Sequence, residues 1–105
     1  MSGLDDTSWT VRSTTVATTL TNNDYVLLCS PTGGSIVITV PGPATVQPGR
    51  NYIVRRDATA TNTVTLTPAS GLINGGASLV LAAGAIGSAE IYSDGTNWFS
   101  LGASN

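Results

Sequence analysis

The 105-residue sequence contains no histidine, no lysine and one cysteine. Without imidazole and with a single thiol, one subunit cannot assemble a Ser-His-Asp triad, a Cys/His dyad or a typical zinc ligand set. Cys29 alone also rules out an intrachain disulfide, and its place in an apolar run predicts a small buried side chain. Charge is scarce: charged residues make up 10% of the chain, against roughly 25% in ordinary soluble domains. The four basic residues are Arg12, Arg50, Arg55 and Arg56, and the formal net charge is -2. A nucleic acid would have to bind a local basic patch against the overall field. Only Arg55 and Arg56 adjoin, and on a strand they point to opposite faces, one toward an acid such as Asp57 or Glu90. No nucleic-acid partner is expected.

Long apolar runs are missing too. The stretch 78–86 is broken by Gly84, far short of the roughly 20 residues a membrane helix needs, so no membrane span is expected. Residues 1–10 are polar and acidic, without the basic segment and apolar stretch of a secretory signal, which predicts synthesis in the cytoplasm without export. Apolar residues nowhere recur at three-and-four spacing, so helices are not expected.

What the sequence has is threonine, serine, asparagine and β-branched apolar residues in short runs punctuated by glycine and proline. Strands are predicted over 10–21, 25–30, 35–40, 51–56, 61–67, 78–81, 88–93 and 97–101. The run 25–30 is apolar at almost every position, as in a strand buried on both faces. Residues 35–40 and 61–67 alternate, as in half-buried strands. Asn74-Gly75-Gly76 is a tight-turn signal because these residues tolerate positive φ. Asp94-Gly95 begins the turn of a terminal hairpin. Short strands at intervals of about ten residues predict an all-β fold, a single antiparallel sandwich or barrel of about seven to eight strands, jelly-roll-like. Residues 10–105 form this domain and 1–9 a short N-terminal arm. A surface so poor in charge is expected to be covered by partners or by neighbouring copies.

Candidate chemistry is thin. Asp24, Asp57, Glu90 and Asp94 are scattered, so a two-carboxylate hydrolase site would need long-range convergence. Asp5-Asp6 could join oxygens around Ca²⁺, but adjacent acids in a polar tail are more often solvated. Gly33-Gly34 and Gly75-Gly76 lack the strand, helix and lysine of phosphate loops and read as turn glycines. No enzymatic role, cofactor or metal is expected.

The segments Asn62-Thr63-Val64-Thr65-Leu66-Thr67-Pro68, Leu72-Ile73-Asn74-Gly75-Gly76 and Ser93-Asp94-Gly95-Thr96-Asn97-Trp98 follow one another at the C-terminal side. Upstream stand Ile36-Val37-Ile38-Thr39-Val40-Pro41 and Gly49-Arg50-Asn51-Tyr52-Ile53-Val54. Together, over residues 25–101, they resemble a module of bacteriophage capsid decoration (cement) proteins, head fibres and tail fibres. The resemblance implies a β-sandwich or barrel that assembles as a homotrimer, with flat sides meeting around a threefold axis and no catalytic residue. Because the module is nearly the whole chain, the expected role is a virion structural protein that binds the outer head surface. There it would bridge capsomers of the major capsid protein. Leu4 and Trp9, beside Asp5 and Asp6, are the expected contacts of the arm with the shell or a neighbouring subunit. The alternative is a tail-fibre or head-fibre receptor-binding module that grips host glycans through Tyr25, Tyr52, Tyr92 or Trp98. Trp98 also has a plainer role, as the lid of a core of Val, Ile and Leu.

Overall fold

The structure is a computed structural model that describes residues 10–57, 62–82 and 87–104, with side chains through 101. Nine strands run through the described residues: β1 (Thr10–Thr14), β2 (Thr18–Thr19), β3 (Asp24–Cys29), β4 (Ile36–Val40), β5 (Asn51–Arg56), β6 (Val64–Pro68), β7 (Leu79–Leu81), β8 (Gly87–Ser93) and β9 (Trp98–Ser104). A 3-10 turn at Pro43–Thr45 interrupts the loop between β4 and β5. The all-β class is as expected.

The strands form two sheets, ordered β1-β3-β5-β8-β9 and β2-β4-β6-β7. From β1 to β6 the chain alternates between them. Parallel neighbours cannot be joined by a tight hairpin and need a crossover. Here a strand of the other sheet supplies it. The result is four parallel ladders, β1 with β3, β3 with β5, β2 with β4, and β4 with β6. Only the C-terminal strands run antiparallel: β7 to β6, β8 to β5 and β9 to β8. This corrects the expected antiparallel arrangement: the sheets are mixed.

The split of 10–21 explains one added strand. At Thr14 the side-chain Oγ1 donates to the Val16 carbonyl (2.8 Å) and accepts from its amide (3.2 Å), folding the backbone into a local turn. The chain then enters the other sheet at β2. Val16, in the turn, is 64% exposed while Leu20 is buried.

The inward residues of both sheets meet in one core, with Leu27, Tyr52, Val54, Ile91 and Trp98 from the first sheet and Ile38, Leu66 and Leu81 from the second. Trp98 is fully buried, its ring 5.7 Å from that of Tyr52, and its Nε1 donates to the Pro41 carbonyl at 2.8 Å. The Asn74-Gly75 turn forms as expected, with φ of 52° and 78° at its two central residues. Ile73 and Gly76 exchange both backbone hydrogen bonds at 2.9 Å, the pattern of a type I′ turn. The terminal hairpin of β8 and β9 also forms, its turn held by Asp94 Oδ1, which accepts from the amides of Thr96 and Asn97.

Candidate interaction surfaces

Of the residues expected to make contacts, Leu4, Asp5, Asp6 and Trp9 lie outside the described residues, as does the whole arm 1–9. The remaining candidates divide into buried chemistry and exposed faces.

Cys29 is 1% exposed at the end of β3, and burial pushes its thiol up to about 11, so it is protonated at neutral pH. It lines a cleft of about 270 Å³ with Leu28, Ser30, Arg55 and Asp57. Ser30 Oγ donates to Asp57 Oδ2 at 3.3 Å. A hydroxyl on a carboxylate, beside a protonated thiol and with no imidazole, offers hydrogen bonding rather than an activated nucleophile. Among the described residues no group of three or more His, Cys, Asp or Glu side chains comes together as a metal site.

Arg55 and Arg56 point to opposite faces as expected: Arg55 is exposed and Arg56 fully buried. Arg56 Nη1 donates to the backbone carbonyls of Asp57 (3.1 Å) and Asn62 (3.4 Å), tying the end of β5 to the start of the β6 segment. Glu90 accepts instead from Asn51 Nδ2 at 2.8 Å. Two further arginines are structural. Arg12 grips Asp24, and Arg50 lies 4.1 Å over the Tyr52 ring while donating to the carbonyls of Asn22, Asp24 and Asn51.

The aromatic candidates for glycan contact are reduced by burial. Tyr52 and Trp98 are both 0% exposed, so neither can offer a ring face to a sugar. Tyr25 and Tyr92 remain half-buried at the surface, and Tyr92 packs on Phe99 with ring centroids 5.7 Å apart.

The exposed faces of the two sheets carry a distinctive composition. On the four-stranded sheet, one cross-strand row is Thr19, Thr39 and Thr67, and the next is Val37, Thr65 and Val80. On the five-stranded sheet, one row crosses every strand as Val11, Val26, Ile53, Glu90 and Leu101. A second runs Ser13, Leu28, Arg55 and Ser88. The apolar run 25–30 is therefore not buried on both faces: Leu27 and Cys29 enter the core, while Leu28 is 38% exposed and Val26 half-buried on the outer face. The signal for this face lay in that run, whose outward positions are as apolar as its inward ones.

No family model matches the chain, and no curated protein matches it.

Proposed function

We propose that this chain is a virion structural protein, a capsid decoration or cement module that binds the outer surface of a bacteriophage head as a homotrimer. The observation that carries the reading is the pair of exposed sheet faces, hydroxyl-bearing or apolar and nearly without charge, on a unit with one small core. Such faces suit contact with protein rather than with water. The succession of Thr-rich strand, Asn-Gly turn and Asp-Gly-Thr-Asn-Trp hairpin adds support through its resemblance to phage decoration and fibre modules. In its finer architecture the domain is a two-layer sandwich, the sheets closing on the shared core.

In this role the module acts by covering joints between capsomers of the major capsid protein. Anything that binds the assembled shell and not its separated parts stabilises the shell by mass action. The arm 1–9, with Leu4 and Trp9 as apolar anchors beside Asp5 and Asp6, is the part proposed to reach the shell or a neighbouring subunit. The glycan-binding fibre alternative has fewer candidates to work with, since Tyr52 and Trp98 lie in the core.

The decisive experiment is to locate and count the chain in purified particles by electron microscopy and quantitative mass spectrometry. Many copies distributed over the head are expected. A few copies confined to a fibre, or none, overturns the decoration role. Deleting residues 1–9 is expected to abolish binding to heads stripped of the protein, and undiminished binding rejects the docking role of the arm.

A further inference from the structure

We infer that copies of this chain meet through the outer face of the five-stranded sheet, with Arg55 of each copy set against Glu90 of a neighbour. The inference rests on the trimeric reading above and names its contact surface.

Strands β1, β3 and β5 pair in parallel, and purely parallel sheets are almost always covered on both faces. The inner face here is covered by the core, and the outer face sets apolar side chains on every strand among its polar ones. One half of that face, on β1 and β3, is aliphatic: Val11 is 67% exposed, and beside it stand Val26 and Leu28. The other half, on β8 and β9, holds the Tyr92–Phe99 ring pair and Leu101, which is 52% exposed. A ring of three copies gives each face two neighbours. The aliphatic half of one copy can then pack on the aromatic half of the next, a heterologous contact that closes.

The charges select the occupant. Among the described residues of these five strands, Arg55 and Glu90 are the charged side chains on the outer face, one on β5 and one on β8. Arg55 stands opposite Ser88 and Glu90 opposite Ile53, so the two are diagonal neighbours. Neither belongs to the ion pair of Arg12 with Asp24. Asp57, just past β5 in the cleft it shares with Leu28 and Arg55, accepts from Ser30, so within its strands the face bears one charge of each sign and is complementary to itself. Against an acidic partner Glu90 would meet a like charge, against a basic partner Arg55 would, and an apolar one would bury both while offering neither an opposite charge, Glu90 keeping its bond from Asn51. A second copy of the same face satisfies both.

The test uses the full chain and charge reversal, read by analytical ultracentrifugation with thermal unfolding as a check that each variant is folded. The wild type is expected to be trimeric. R55E and E90R are each expected to weaken association by about tenfold or more, because each puts like charges together in the contact. The double variant R55E/E90R restores opposite charges and is expected to return association to within about threefold of wild type. V37E, on the outer face of the four-stranded sheet, is expected to leave the trimer intact. A trimer indifferent to both single reversals, or one broken by V37E instead, overturns the inference and leaves the trimeric reading standing. So does a double variant no better than the singles. A monomeric wild-type chain overturns the trimeric reading itself, and the inference with it.

Discussion

Arg12 on β1 and Asp24 at the head of β3 are joined by two parallel hydrogen bonds, Nε to Oδ1 at 3.0 Å and Nη2 to Oδ2 at 2.8 Å. The same guanidinium donates from Nη1 to Thr18 Oγ1 (3.1 Å) and from Nη2 to the Thr19 carbonyl (3.0 Å), so one side chain ties β1, β2 and β3 together. Asp24 is 2% exposed and also accepts from the Thr21 amide at 2.9 Å. Replacing Arg12 by alanine leaves a buried carboxylate with Thr21 as its remaining partner. Breaking a fully buried pair costs about 3–5 kcal/mol, and the Arg12 side chain, 35% exposed, lies toward water, so a loss of about 2 kcal/mol is expected. Urea unfolding checks this as a lower midpoint with an unchanged slope. A loss below about 0.5 kcal/mol is what an ordinary exposed pair would give, and would remove the clamp from the account of the fold.

The same pair sets the behaviour in acid. Burial by itself would push the Asp24 carboxyl up, but the hydrogen bonds from Arg12 and from the Thr21 amide outweigh it and hold the group below its ordinary 3.8. A carboxyl depressed in the folded state contributes stability that is fully present above its unfolded value. That stability is lost as the pH falls through 3.8 and on through the lower folded value. The wild type is therefore expected to lose stability steadily through this window. Asp24→Asn, less stable at neutral pH, is expected to show a flatter acid limb. Parallel curves for the two proteins would mean that other carboxyls dominate acid unfolding, among them Asp94, which the amides of Asn97 and Thr96 also hold low.

Much of the local structure was legible because it depends on neighbours in sequence. Asn74-Gly75 signals a type I′ turn since its two central residues must take positive φ, and both do. Arg55 and Arg56 part to opposite faces because the strand period is two. The pairing partners were not legible. Alternation shows that Ile36, Ile38 and Val40 share a face, but it is silent on whether the neighbouring strand runs parallel, as β6 does, or antiparallel. The split at Thr14–Val16 depends on a threonine hydroxyl capturing a backbone two residues on, where β-branched residues on both sides equally suit one continuous strand. The outer face of the five-stranded sheet was masked for a related reason. A run apolar on both sides reads the same whether its second face meets the core of its own chain or awaits another molecule.

Burial of Cys29 yields a kinetic prediction and an alkaline one. The thiol is 1% exposed and raised from 9.0 to about 11, so in the folded protein it is neither reachable nor ionised. Reaction with an aromatic disulfide reagent at mildly alkaline pH is expected to be slow and to become fast only in denaturant. The unfolded chain ionises this thiol first. The stability it contributes is therefore full below pH 9.0 and is lost as the pH climbs through about 11. Cys29→Ala is expected to flatten that alkaline loss. Rapid labelling of the native protein would show that the end of β3 opens readily.

Trp98 offers the sharpest test of the core. Its ring is fully buried against Tyr52, and its indole N–H reaches the Pro41 carbonyl, so the residue that opens β9 fastens the end of β4 across the core. Trp98→Phe keeps an aromatic ring in place but deletes that donor and leaves space where the larger ring was. An acceptor left unsatisfied costs about 1–3 kcal/mol and the unfilled volume adds to it, so a loss of about 2–3 kcal/mol is expected. In a domain of this size that corresponds to a fall in Tm of about 10 °C or more. Trp98→Ala is expected to cost about 3–5 kcal/mol, close to the whole stability of a small domain. The comparison isolates the hydrogen bond: if Trp98→Phe is within about 0.5 kcal/mol of wild type while Trp98→Ala is not, the ring's bulk matters and the link to Pro41 does not. If both are tolerated, Trp98 is not the keystone its burial describes.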